Sequence, residues 1–169
     1  MKILPVSSIR LLDRQTIDQE PILSIDLMER AASRFTTWLL QKFPEQKSFH
    51  VLAGMGNNGG DGLVAARLLA GSAKKVRVSI VHYASHYSDD CAINLKRLEQ
   101  QNKAGIEHLR EGEHLQSISS HDILIDALWG SGLSRPVSGF AAGIIEQMNT
   151  SAAQIIAIDI PSGLFADKT

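Results

Sequence analysis

Apolar residues recur along this chain in two registers, and the register changes near residue 48. Between Ser8 and Gln19, and again between Ser24 and Lys42, they fall at helical spacing; in the second stretch Leu27, Met28, Ala31, Phe35, Trp38 and Leu39 line one face. Two packing helices are predicted, the second with Ser24 as N-cap and Pro44 as stop. From Ser48 onward short apolar runs alternate with helical segments. Strands are predicted at 48–53, 76–81, 106–109, 123–128 and 155–160, and helices after Gly62, at 89–101 and at 141–148. That alternation predicts an α/β fold with a mostly parallel sheet covered by helices on both faces.

Between the first strand and its helix lies Gly54-Met55-Gly56-Asn57-Asn58-Gly59-Gly60-Asp61-Gly62. A strand's carboxyl end leading into a helix's amino end favours an anion, through unpaired N–H groups and the helix dipole, and glycine lets a ligand approach the backbone closely. Gly54, Gly56 and Gly59 satisfy G-x-G-x-x-G, but the second strand ends in His82-Tyr83 with no acid to hold a ribose hydroxyl, so a dinucleotide dehydrogenase is not indicated. No Gly-Lys-Ser/Thr follows, which removes a Walker-type loop. Tight packing explains glycines in such a turn; it does not explain why Asn57, Asn58 and Asp61 crowd among them.

Composition narrows the class. With 169 residues, 44% hydrophobic content and a formal net charge of -1, one globular domain over residues 1–169 is expected, with no attraction to nucleic acid or membrane surfaces. The lone cysteine, Cys91, cannot form an intrachain disulfide, no apolar run reaches a membrane span, and the apolar start at Ile3 is too short for a signal peptide. A cytoplasmic location is the expectation.

Ligands of open parallel sheets collect beyond the strands' carboxyl ends, so the loops there decide the chemistry. Besides the glycine motif, the fourth strand delivers Asp126 and then Trp129-Gly130-Ser131-Gly132-Leu133-Ser134-Arg135-Pro136; Arg135 suits phosphate, and Trp129 is read as structural. The fifth strand delivers Asp159-Ile160-Pro161-Ser162-Gly163. Acids at the ends of apolar strands are costly unless paired or bound to a cation. Asp61 has the simplest structural reading, a carboxylate in the first turn of a helix. His82 and His86 stand four apart across a strand-to-loop junction, which makes a poor zinc site, and neither Ser131 nor Ser162 lies in a nucleophile elbow.

In order, Asn-Asn-Gly-Gly-Asp-Gly, Asp-Ala-Leu-Trp-Gly-Ser-Gly-Leu and Asp-Ile-Pro-Ser-Gly resemble the NAD(P)H-hydrate epimerase family, the YjeF N-terminal domain. The resemblance implies a Rossmann-like three-layer α/β/α sandwich preceded by two helices, and an isomerase that interconverts the R and S epimers of hydrated NADH and NADPH in cofactor repair. It places substrate on Asn57, Asn58, Gly59, Gly60 and Asp61, on Gly130, Ser131, Gly132, Leu133, Ser134, Arg135 and Pro136, and on Asp159. A potassium ion would fall on Asn58, Asp126 and Ser162, whose oxygens suit a hard cation. Asp159 is then expected to exchange a proton with the C6 hydroxyl of the hydrated ring, with the opposite assignment to Asp126 open. With no acid after the second strand, NADH and NADPH hydrates should both be accepted. A non-catalytic nucleotide-binding or interaction module is the other reading. Expected partners are a second copy, as a homodimer, and a fused or separate ADP/ATP-dependent NAD(P)H-hydrate dehydratase. The last residue, Thr169, follows Asp159 closely in what reads as a loop, so C-terminal strands of a longer natural protein are expected beyond it.

Overall fold

A computed structural model describes residues 5–167. Two helices lead, α1 (Val6–Gln19) and α2 (Ser24–Lys42). The alternating part follows as β1 (Ser48–Ala53), α3 (Asn57–Gly71), β2 (Lys75–Val81), α4 (Asp89–Gln101), β3 (Gly105–Leu109), β4 (Ile123–Ala127), α5 (Gly139–Thr150) and β5 (Gln154–Ala157). Every element expected from the apolar pattern is present, and the five strands form one parallel sheet in the order β3-β2-β1-β4-β5. The α/β sandwich is as expected. Among the boundaries that differ, three have a local reason. Helix α3 starts at Asn57, so the amide-glycine motif is its opening turns and not a preceding loop; Gly60 N–H already donates to the Gly56 carbonyl at 3.0 Å. Ser24 is the first helical residue of α2 rather than its cap, because its hydroxyl is drawn to Asp90 at 2.7 Å. Strand β5 stops at Ala157; after Ile158 N–H reaches the Asp126 carbonyl the chain turns toward Pro161, which has no N–H to continue a ladder.

Alternation within the strands sorts residues to two faces. Phe49, Val51 and Ala53 of β1, with Val78, Ile80, Ile123 and Ile125, meet Leu63, Ala66 and Leu69 of α3 and Cys91, Leu95 and Leu98 of α4. The opposite face puts Leu52, Val81, Leu109 and Leu124 against Ile144 and Met148 of α5. Helix α2 covers α3 from outside, through Met28 and Ala32 against Val64. Because β2 and β4 flank β1 on either side, chain direction across the sheet reverses between β1 and β4, and the crevice there opens between the loops that follow those strands.

On the α5 face, beneath the helix-free connection from β3 to β4, the sheet buries a polar row. His50 is fully buried; its Nδ1 accepts from Arg77 at 3.1 Å, so Nε2 carries the proton and donates to the Ser79 hydroxyl at 2.6 Å, which in turn donates to Glu107. Arg77 also faces Asp122 at 3.9 Å. Burial, then the Arg77 charge, push the His50 imidazole down to about 4, against a smaller opposing pull from Asp122. The folded state therefore holds His50 neutral where the unfolded chain, near 6.5, has begun to bind a proton. The contribution to stability is present above pH 6.5 and is lost as the pH falls toward 4, on the order of 3 kcal/mol in all. In urea unfolding across that window, His50→Gln should show a shallower loss of stability than the parent. Equal slopes for the two proteins would mean that His50 does not fold as a neutral ring.

Candidate active site

The carboxyl edge of the sheet brings the three sequence motifs together, and glycine makes the approach close. A Cβ on Gly59 would overlap the backbone of Gly54, and one on Gly60 would come within 2.8 Å of the Met28 sulfur. These two residues face inward, toward β1 and toward α2 and α4. Their side-chain-free α-carbons serve packing, while the N–H groups of Asn57, Asn58 and Gly59, at the start of α3, lack acceptors within the helix and point outward along its axis. Gly62 likewise sits against Ala127, Val51 and Ile158, drawing the opening turns of α3 onto the ends of β1, β4 and β5. Asn57 is exposed and Asn58 half-buried. Both amide atoms of Asn58 are buried without a hydrogen-bond partner.

Asp126, in β4, is 1% exposed and accepts three hydrogen bonds. Its Oδ1 accepts from the Leu128 N–H at 3.2 Å and the Ser162 hydroxyl at 2.5 Å, and its Oδ2 accepts from the Ser162 N–H at 2.7 Å. Ser162 Oγ also accepts from the Trp129 N–H at 2.9 Å. Charge-assisted bonds to N–H and O–H groups are what keep a buried carboxylate soluble in the core. The acid and the serine predicted to share a cation thus touch directly, and Asn58 reaches the same loop at Gly130, four residues past Asp126: a Cβ at Gly130 would lie 3.1 Å from Asn58 Oδ1. A hard cation suits this donor set, since the Asn58 carbonyl has no other partner and the carboxylate keeps a lone-pair site free.

Asp159 lies beyond the end of β5 and is exposed, so the cost of burial expected for it applies to Asp126 instead. Its Oδ2 accepts from the Ser131 N–H at 2.7 Å, and a Cβ on Gly130 would overlap that oxygen. Gly130 is therefore the spacer that lets Asp159 and Asn58 approach the same point. Asp61 joins them from α3. Burial first, and then the charges of Asp159, Asp13 and Asp90, raise its carboxyl to about 7. It is more than the helix-terminal charge of the simplest structural reading. It is half-buried among other acids and has no hydrogen-bond partner among the described residues.

Beside these groups, on the α5 side, a cavity of about 530 Å³ is lined by Tyr83, Trp129, Leu133, Arg135, Pro136 and Ala141, among others. Trp129, read from sequence as structural, is stacked on Tyr83 with ring centroids 4.2 Å apart. The Tyr83 hydroxyl accepts from the Met55 N–H at 3.2 Å and donates to the Leu128 carbonyl at 3.3 Å, so one phenol joins the loops after β1, β2 and β4. Its position directly after a strand of the sheet was the available signal. Ser131 and Leu133 are half-buried and Gly132, Ser134, Arg135 and Pro136 exposed; Asn58 and Asp159 adjoin this loop at Gly130 and Ser131, and neither they nor Asp61 line the cavity. His82 faces His108 at 2.8 Å, whereas His86 is exposed beside Ser85.

Asp61 gives a stability test of this geometry. A carboxyl raised from 3.8 to about 7 binds its proton more tightly in the folded chain, so it weakens the fold as pH rises through that interval and leaves a constant penalty above it. Asp61→Asn should raise the unfolding free energy at pH 8 by roughly 2 kcal/mol, after allowance for partial exposure, and by much less at pH 4. An Asn variant no more stable than the parent at pH 8 would place Asp61 in water, away from the other acids.

Residues 24–169 match the family described as YjeF-related protein N-terminus. Among curated relatives, the NAD(P)H-hydrate epimerase of Lentilactobacillus buchneri is 41% identical over 165 residues, which is 97% of this chain and 74% of that protein. The NAD(P)H-hydrate epimerase of Limosilactobacillus fermentum is 34% identical, with 97% and 76% covered. The bifunctional NAD(P)H-hydrate repair enzyme Nnr of Thermofilum pendens is 36% identical over 99% of this chain, which spans only 32% of that protein. In fold, a crystal structure of the yeast protein ynu0 superposes with a TM-score of 0.83 at 23% identity, over 99% of this chain and 74% of that one. No helix among the described residues is long and apolar enough to cross a membrane. On the family match and on relatives above 30% identity that span nearly all of it, the chain belongs to the YjeF N-terminal family.

Proposed function

We propose that this chain is an isomerase that epimerises hydrated NADH and NADPH at C6 of the nicotinamide ring. The observation that carries the reading is the meeting of Asp159, Asn58 and Gly130 at the crevice between β1 and β4, in a family whose relatives are named for this reaction. C6 of the hydrate is a carbinolamine carbon, bonded to both the ring nitrogen and a hydroxyl. Proton exchange at that hydroxyl is what lets the centre lose and regain its configuration. Asp159 is exposed yet fixed by the Ser131 N–H, which suits a group that must reach a ligand in one orientation. Asp126 is held by three hydrogen bonds from Ser162 and Leu128, which supports Asp159, of the two acids first considered, as the proton carrier.

The free N–H groups of Asn57, Asn58 and Gly59 suit the pyrophosphate, and Arg135 at the cavity rim suits a phosphate. The cavity under Tyr83 and Trp129 gives an elongated dinucleotide room beyond the reacting ring. Asn58, Asp126 and Ser162 would hold a potassium ion, which when bound would offset the Asp126 charge beside a polyanionic ligand. A dehydratase, fused or separate, is the partner this activity would serve, and a homodimer is the assembly we expect.

The direct test follows the two epimers chromatographically from a single pure epimer. The parent should speed their equilibration, and Asp159→Asn should lower the rate by about two orders of magnitude or more while keeping the thermal transition. An Asn variant as fast as the parent would remove Asp159 from the chemistry. Exchanging potassium for a bulky organic cation should weaken hydrate binding several-fold; unchanged affinity would count against the cation site.

A further inference from the structure

We infer that Asp61 is a second catalytic carboxyl group, flanking C6 of the hydrated ring together with Asp159, so that one acid gives a proton to the departing hydroxyl and the other accepts one from the water that replaces it. The inference rests on the epimerase reading above and deepens it.

Three observations place Asp61 there. It stands three residues after Asn58 on α3, a spacing that puts both side chains on one helical face, and Asn58 already faces Gly130 and the loop that holds Asp159. Its neighbour Gly62 packs on Ala127 and Ile158, the residue before Asp159, which brings this turn of the helix to the end of β5. And no donor among the described residues engages its carboxyl, whereas Asp126 accepts three hydrogen bonds and Asp159 one. Asp13 of α1, Asp90 and the Cys91 thiol of α4, and Asp159 are the titratable groups around it. All are acids, and together with burial they favour the protonated carboxyl that a proton donor must have.

The step balances without any co-reactant. A proton from one acid passes to the C6 hydroxyl, the C6–O bond breaks with its electron pair leaving as water, and the ring nitrogen lone pair forms a C=N bond to C6. A second water adds to the other face, its oxygen forming the new C6–O bond as the C=N π pair returns to the ring nitrogen, and its surplus proton goes to the second acid. One water leaves and one enters, nothing is oxidised or reduced, and the proton has crossed from one aspartate to the other. The opposite epimer is therefore handled by the opposite protonation state of the pair. Inversion at a sugar's anomeric carbon by two carboxyl groups has the same logic.

The test starts from one pure epimer of hydrated NADH in ¹⁸O-labelled water, with the parent, Asp61→Asn, Asp61→Glu and Asp159→Asn. The parent should insert about one labelled oxygen per inversion, above the spontaneous rate. Asp61→Asn should lower kcat by roughly 100-fold or more with KM changed less than about threefold, and Asp61→Glu should recover part of that loss. If Asp61→Asn raises KM and leaves kcat intact, Asp61 only binds and the inference fails; epimerisation by the parent without label uptake also overturns it, because the hydroxyl then never leaves. A parent that does not epimerise at all overturns the epimerase reading itself. Circular dichroism of each variant keeps a loss of fold apart from a loss of chemistry.

Discussion

The site hangs on one buried carboxylate. Asp126 lies inside the sheet where an ion survives only if its oxygens are filled, and Ser162 fills them from 36 residues away, through both its N–H and its hydroxyl. Ser162 Oγ then reaches Trp129 N–H, so the loop after β4 and the loop after β5 are fastened to the same acid. Asp159, three residues before that fastening point, inherits its position from it. Removing the acid would strand a serine hydroxyl and backbone N–H groups in the core, and unmatched buried donors cost more than a hydrogen bond gains. The position of the proposed proton carrier and the satisfaction of the core are thus one constraint here.

The glycines of the first motif answer a second constraint, which is distance. Helix α3 must lie against β1, β4, α2 and α4 at once, and Gly59, Gly60 and Gly62 are the points where a methyl group would collide with Gly54, Met28 or Ala127. Glycine is a poor helix former, so these turns are held by their neighbours and not by their own propensity. The amides between the glycines are what the packing leaves for a ligand. A motif that looks from sequence like a phosphate loop has inward-packed glycines alternating with polar side chains that the packing leaves uncommitted, along successive residues of one helix.

Much of this was legible in the chain itself. Period-two and helical patterns located all ten elements of the described residues, because β1, β4 and the helices bury clear apolar faces; the order of the motifs, together with the parallel topology they imply, located the crevice. Long-range partners were not legible. Asp61 reads as a helix-terminal charge until Asp159, Asp13 and Asp90 are seen around it. Trp129 reads as core until its stacking on Tyr83 shows an aromatic wall shared by two loops 46 positions apart in sequence. His50, with the apolar neighbours Phe49 and Val51, gave no sign that it would sit in a row with Ser79 and Glu107, since cross-strand register is not written in any one strand.

The strand order also has a consequence for how the molecule assembles in time. β1, β2 and β3 with α3 and α4 form a contiguous stretch whose pairings close over short chain segments, whereas β4 must return across the helix-free crossing to pair Phe49 with Ile123. Loop closure is costlier for that contact than for the pairings of β1 with β2 and of β2 with β3, so β4 is expected to dock after them. Asp126, Trp129 and Gly130 arrive with it, and Ser162 and Asp159 only after it. On that order α3, with Asn58 and Asp61, is in place before Asp126 and Asp159, and the crevice between β1 and β4 is complete only once the loop after β5 has docked.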